Sequence, residues 1–241
     1  LTYSGSGAPS VERINFKAMK GQTIGVIGGT GSGKSSLVNL IPRLYDATQG
    51  EVLVDGVNVK DYDIEALRNK VGIVMQKAVL FKGTIRENMW MGKKGATDEQ
   101  IDEALEISQS KEFVDSKQGR LDYVIEQGGK NLSGGQRQRL TIARAIVRKP
   151  DVLILDDSAS ALDFATDAAL RKAIRGMNNS PTVFIVSQRA ASLMYADLII
   201  VLDDGQVAGM GTHDELLANC EVYKEIYESQ FKKADSEGGV A

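Results

Sequence analysis

The chain has 241 residues, 42% hydrophobic and 25% charged, the balance of an ordinary folded protein and not of a disordered segment. A net charge of −3 supplies no basic stripe for a nucleic-acid backbone or an anionic membrane surface. Its single cysteine, Cys220, excludes an internal disulfide framework and fits a reducing compartment, and no apolar run approaches the roughly 20 residues of a membrane-spanning helix.

Apolar runs at 23–27, 71–75, 152–155, 182–186 and 198–202 alternate with helical patterns, which predicts an α/β fold on a mostly parallel sheet. The first run leads into "GGTGSGKSS" at 28–36, which fits G-x-x-x-x-G-K-S between a strand and a helix. There Gly28, Gly29, Thr30, Gly31, Ser32 and Gly33 let backbone N–H groups turn inward around phosphates. Lys34 neutralises their charge, the Ser35 hydroxyl can ligate Mg²⁺, and Ser36 closes the set. A glycine-rich turn that binds nothing is the bland alternative, and the motif in its context argues against it.

From about 77 to 136 the strand rhythm gives way to mainly helical sequence, the pattern of a subdomain inserted into the core. Within it Thr97 and Gln100 form a capping box ahead of Ile101, Ala104 and Leu105 on one face. "NLSGGQRQR" at 131–139 sets Ser133 and two glycines before another helix, an anion-binding end with no phosphate of its own to serve. "DVLILDDSASALDFATD" at 151–167 is a strand delivering two carboxylates, Asp156 and Asp157, to a sheet edge. Asp156 has the place of the acid that supports Mg²⁺ in a phosphate-loop ATPase, although a strand-end Asp is just as often a cap. Leu170, Ala173, Ile174 and Met177 share a helical face, and "LDDGQV" around Gly205 is a hairpin turn. Thr212 with Glu215 opens a further helix, "EVYKEIYESQF" continues the pattern, and the polar tail "KKADSEGGVA" is expected to fray. One domain over 1–230, with a tail at 231–241, is the expected organisation. The chain lacks a starting Met and looks like a piece of something longer.

The phosphate loop, "LSGGQ", the strand ending in Asp156 and "SALD" at 160–163 together resemble the nucleotide-binding domain of an ABC transporter over nearly the whole chain. "LFKGTIRENM" at 80–89 resembles the exporter branch, in which this stretch faces the coupling helices of a transmembrane domain. The resemblance implies ATP and Mg²⁺ as ligands, a place on the cytoplasmic face of a membrane, and no nucleic acid. It also implies head-to-tail pairing with a second nucleotide-binding domain, so that Ser133, Gly134, Gly135 and Gln136 close over the ATP held by the partner. Tyr3, 31 positions before Lys34, resembles the aromatic that stacks on adenine, against a plain edge-strand Tyr. Gln76 resembles the loop glutamine that touches Mg²⁺ and relays nucleotide state, against a buried structural Gln. Asp163 matches the acid of the loop that crosses the dimer interface, and a helix N-cap is an equally good local account of it.

Two departures stand in the water-activating machinery. Asp157 occupies the position where the family usually has Glu. Its carboxylate is drawn back by about 1.5 Å, one C–C bond, and a misplacement near 1 Å can cost on the order of 10²-fold in rate. Gln188, in "VSQR" at 186–189, occupies the switch position where His is usual. Gln can donate a hydrogen bond but cannot change charge near neutral pH. His213, in "GMGTHDEL", is a structural histidine in a different stretch. With the ATP-holding parts intact, these losses resemble the degenerate subunit of a heterodimeric exporter, as does "EQGGKNLSGGQ" ahead of the signature; Asp157 is then a relic position. The alternatives are a fully active homodimeric exporter and, from another class, a nucleic-acid clamp. The clamp needs long heptad arms, which 36–131 does not contain. Guanine recognition would need N-K-x-D, whereas Asn69-Lys70 is followed by Val71-Gly72.

Overall fold

The computed structural model describes residues 1–158 and 161–237, so Ser160 of "SALD" and the last four residues of the tail lie outside the described residues. The first elements are β1 (Thr23–Gly28), α1 (Lys34–Asn39), β2 (Leu53–Val54), β3 (Val57–Asn58) and α2 (Ile64–Lys70). They are followed by β4 (Val71–Val74), β5 (Gly83–Thr84), α3 (Ile85–Trp90), α4 (Asp98–Ile107), α5 (Lys111–Asp115) and β6 (Val124–Ile125). The chain continues with α6 (Gly134–Ile146), β7 (Val152–Asp156), α7 (Phe164–Arg175) and β8 (Thr182–Val186). It closes with β9 (Leu198–Asp203), β10 (Gln206–Gly211), α8 (His213–Asn219) and α9 (Glu221–Glu237). Two compact units result, Leu1–Arg68 with Thr182–Ala241, and Asn69–Pro181.

In the first unit the strand order is β10-β9-β1-β8, with β9, β1 and β8 parallel and β10 antiparallel. The central strand β1 is buried along its whole length, which is why it is a continuous apolar run and not an alternating one. Ile24, Val26 and Ile27 have no exposed surface, and each contributes about 1.5–3 kcal/mol by leaving water. Because β1 and β8 run parallel with Val26 opposite Val186, the phosphate loop and the segment carrying Gln188 leave the sheet at the same carboxyl edge, where open α/β sheets bind ligands. The β9–β10 hairpin turns through Asp204 (φ 42°) and Gly205 (φ 76°), the two left-handed residues of a type I′ turn.

In the second unit β4 and β7 are parallel, with Val71 opposite Val152 and Val74 opposite Leu155. Gln76 and the two aspartates therefore leave that pair at one edge. Helix α6 buries Leu140, Ile142, Ala143 and Ile146 and packs on α3 and α4. The 77–136 stretch is mainly helical, as expected, but it also holds a short antiparallel pair, β5 with β6, where Val124 and Ile125 supply β-branched residues.

The capping boxes at Thr97 and Thr212 form as the sequence predicts, and Ile101, Ala104 and Leu105 are buried. In α7 Leu170 and Ile174 face inward, while Met177 is buried just beyond the helix end. Helix α9 continues to Glu237, into the stretch expected to fray; Lys232, Lys233 and Ala234 are all strong helix formers. Among the described residues no helix is long and apolar enough to cross a membrane.

Candidate functional site

In the first unit the phosphate loop is shaped by positions that cannot carry a side chain. A Cβ on Gly28 would lie 2.1 Å from the Leu202 carbonyl oxygen, and one on Gly33 would lie 2.5 Å from that of Ser10. At Gly29 and Gly31, among the described residues, nothing would come within 4 Å of it, so that side of the loop is open backbone. Gly33 precedes α1 in the left-handed region, φ 91°. Lys34 is buried, and its Nζ donates to the carbonyls of Gly28 at 2.9 Å and Gly29 at 2.6 Å. Ser32 is buried next to it, with Oγ 3.4 Å from Nζ, while Thr30 and Ser35 are exposed. A backbone-lined turn with an ammonium at its centre fits the oxygens of a polyphosphate.

Tyr3 is not in a strand, so the edge-strand account of it fails. Its hydroxyl donates to Ser36 Oγ at 2.9 Å, and its ring meets that of Tyr45 edge to face, centroids 4.8 Å apart. Gln188 lies two residues beyond β8 and is exposed. The Gln230 side chain on α9 clamps the backbone around it: Nε2 donates to the Gln188 carbonyl at 2.7 Å, and Oε1 accepts from Ala190 N–H at 2.9 Å. No local sequence pattern points from 230 to 188. His213 is structural, as expected: its Nδ1 is hydrogen-bonded to the Tyr223 hydroxyl at 2.8 Å. Burial, with a smaller contribution from Tyr227, pushes the Tyr223 phenol up to about 12.

In the second unit Asp156 ends β7 and is buried, while Gln76 lies past the end of β4 and is exposed. The buried structural reading of Gln76 therefore fails. Its Nε2 donates to Asp157 Oδ2 at 3.2 Å, which brings together two of the residues singled out from the sequence. Asp157 has φ 46°, a left-handed conformation that Asp tolerates better than most residues. The Asp157 carboxylate is thus an acceptor for the loop glutamine.

The signature end of α6 is also more complete than its glycines suggest. Ser133 Oγ accepts from Gln136 N–H at 3.2 Å, and Gln136 Oε1 accepts from Ser133 N–H at 3.1 Å. This is a capping box, and S-x-x-Q is the sequence signal for it. Gly134 and Gly135 lie within the first turn. Asp163 caps α7, accepting from Thr166 N–H at 2.9 Å, and Thr166 holds its carboxyl below the usual range, so the local account of this residue stands. Arg144, not singled out from sequence, donates from Nη2 to the Val79 carbonyl at 2.9 Å and lies over the Phe81 ring. It ties α6 to the loop that follows Gln76. Among the described residues no group of three or more His, Cys, Asp or Glu side chains could hold a metal ion. Mg²⁺ bound through one or two protein oxygens plus phosphates does not require such a group.

Residues 11–160 match the family model described as ABC transporter. Over its whole length the chain is 43% identical to an uncharacterised ABC transporter ATP-binding protein of Mycobacterium tuberculosis, covering 41% of it. Over 95% of the chain it is 39% identical to a putative multidrug export ATP-binding/permease protein of Staphylococcus aureus, covering 39% of that protein. A solved structure of a bacterial Atm1-family ABC exporter with ATP bound superposes with a TM-score of 0.90, at 30% identity, over 95% of this chain and 40% of that one. The chain thus spans about two-fifths of the length of these relatives.

Proposed function

The chain belongs to the ABC transporter family, and on that premise we propose that it is the energy-coupling domain of an exporter whose own site holds Mg-ATP but hydrolyses it slowly. Residues 28–36 would hold the triphosphate, with Lys34 against its charge, and Tyr3 would stack on adenine. Ser35, Gln76 and Asp156 would hold Mg²⁺, which neutralises phosphate oxygens when bound. The observation that carries the slow-site reading is the state of Asp157. Its shorter carboxylate is engaged by Gln76, at the position from which a longer Glu would reach an attacking water. Gln188 adds a second deficit, because it cannot take up charge near neutral pH.

The 77–136 stretch then serves as the inserted helical subdomain, docking on a transmembrane domain through its coupling helices at the cytoplasmic face of a membrane. Ser133, Gly134, Gly135 and Gln136 would complete the ATP site of a second, non-identical domain that supplies the missing Glu and His. Support for export comes from the likeness to an exporter structure and to a putative multidrug export protein.

Equilibrium ATP binding and steady-state hydrolysis, measured on one preparation of the protein alone, test the reading. Saturable binding is expected with turnover well below about 1 s⁻¹, the low end of the usual enzyme range. Turnover at or above that value would favour the active homodimer instead. A co-purifying partner that also lacks both the Glu and the His would defeat the heterodimer scheme.

A further inference from the structure

We propose that Tyr45 is a positioning residue for nucleotide binding: it fixes the plane of the Tyr3 ring, and so presets the surface on which the base stacks. This rests on the reading of Tyr3 as the adenine platform. Tyr3 lies in a segment that is neither strand nor helix, so no backbone ladder orients it. Its ring is instead held at two points, the hydroxyl on Ser36 Oγ at 2.9 Å and the ring against Tyr45 at an interplanar angle of 82°. Ser36 belongs to α1, one residue past Ser35, so the first restraint ties the platform to the phosphate loop. The second must come from a residue whose own place is fixed.

Tyr45 is 45% exposed, yet its loop is braced on both sides. Arg43, left-handed at φ 52°, pairs with Asp46 at 2.7 Å and donates from Nη1 to the Lys60 carbonyl at 3.1 Å. Arg68 Nη2 donates to the Arg43 carbonyl at 3.1 Å, and Lys60 Nζ to that of Ala47 at 2.9 Å. Thr2 N–H donates to Thr48 Oγ1 at 3.3 Å, which joins the segment carrying Tyr3 to the loop carrying Tyr45. A half-exposed aromatic on so restrained a loop adds little to a core. Its effect falls on the ring it touches. A platform fixed before the base arrives spares the ordering cost of binding, and one edge-to-face contact corresponds to about 2- to 10-fold in affinity.

The experiment measures equilibrium binding of ATP and of inorganic tripolyphosphate to the full-length protein carrying this chain, as wild type, Tyr3→Ala, Tyr45→Ala and Tyr45→Phe. Tyr45→Ala should weaken ATP about 2- to 10-fold and leave tripolyphosphate unchanged, and Tyr45→Phe, which keeps the ring, should match wild type. Tyr3→Ala should weaken ATP more, with the same indifference to tripolyphosphate. If Tyr3→Ala leaves ATP binding intact, the platform reading falls and this inference with it. If Tyr3→Ala weakens ATP and Tyr45→Ala does not, the platform stands and the positioning role is overturned. An equal loss for both ligands in Tyr45→Ala also overturns it, since Tyr45 would then act on the loop as a whole.

Discussion

Two glycine-rich stretches of this chain each end in the first turn of a helix, and they solve the problem of unpaired N–H groups in opposite ways. At 28–33 the chain enters α1 through a left-handed Gly33 that has no side chain to cap it, and the ammonium of Lys34 sits on the loop's own carbonyls. At 133–136 the chain enters α6 with a reciprocal box between Ser133 and Gln136. In the first stretch no side chain caps α1, so the N–H groups at that helix start are offered to a ligand. The second satisfies the N–H groups of Ser133 and Gln136 with its own side chains, so an anion brought there meets a helix end that is already formed. That difference suits a loop that owns its nucleotide and a signature that meets one held by another domain.

The largest expected effect tests this division directly. Gly135→Asp would push a carboxylate toward the phosphate that α6 is proposed to meet. A Cβ at Gly135 lies 3.5 Å from the Ala161 carbonyl oxygen, ordinary contact, and an acid in the first turn favours a helix, so the variant should fold. A carboxylate beside the developing charge opposes the stabilisation that a donor there supplies, worth about 10²–10³ in rate, and steady-state ATPase of the transporter assembled with unmodified partner should fall by at least that order. Asp157→Asn keeps an oxygen acceptor for Gln76 and should leave most of the activity. The reverse ordering would make this chain's own site the engine and undo the contrast.

Much of this was legible because it is local. The phosphate loop, the apolar strand runs, and the boxes at Thr97 and Thr212 are each written within a few neighbouring residues. The box at Ser133 is written in the same S-x-x-Q form, and the one at Thr84 as T-x-x-E; attention to the glycines of the signature hides the first. What local patterns cannot announce is side-chain pairing across the fold. Gln76 reaches Asp157 over 81 positions, and Gln230 reaches the Gln188 carbonyl over 42. Tyr45 meets Tyr3 only after α1 folds the chain back between them. The same limit explains Asp157. Its side-chain length is plain in the sequence, but its left-handed backbone and its partner are products of the two strands that end beside each other.

One substitution made in both stretches should act in opposite directions. At Gly33, alanine must adopt φ 91° with its Cβ 2.5 Å from both the Ser10 carbonyl oxygen and Val11 Cγ1. Strain of this kind costs about 1–3 kcal/mol. At about 2 kcal/mol the melting temperature falls by roughly 4–8 °C for a domain of this size, and ATP binding should weaken with it. At Gly134, in the first turn of α6, the nearest atom to a Cβ is the end of the Arg137 side chain at 3.9 Å. Alanine there removes backbone freedom from the unfolded chain and should stabilise by up to about 1 kcal/mol. Thermal melts of the two variants should therefore move apart. Shifts in the same direction would mean that the two glycine stretches are built alike.

The smallest effect isolates the box itself. Ser133→Ala removes the oxygen that accepts from Gln136 N–H, and losing such a cap costs about 1 kcal/mol, or roughly 2–4 °C in melting temperature. Ser133→Gly should cost only a few tenths of a kcal/mol, because glycine adopts the N-cap backbone and leaves the end open to water. Neither change touches the loop at 28–36. Equilibrium ATP binding by the protein without its partner should therefore be the same in both variants as in wild type, while stability differs between them. If Ser133→Ala weakened that binding in step with its loss of stability, the signature would be holding the chain's own nucleotide. The division between a loop that owns its ATP and a helix end that meets another's would then be wrong at its second half.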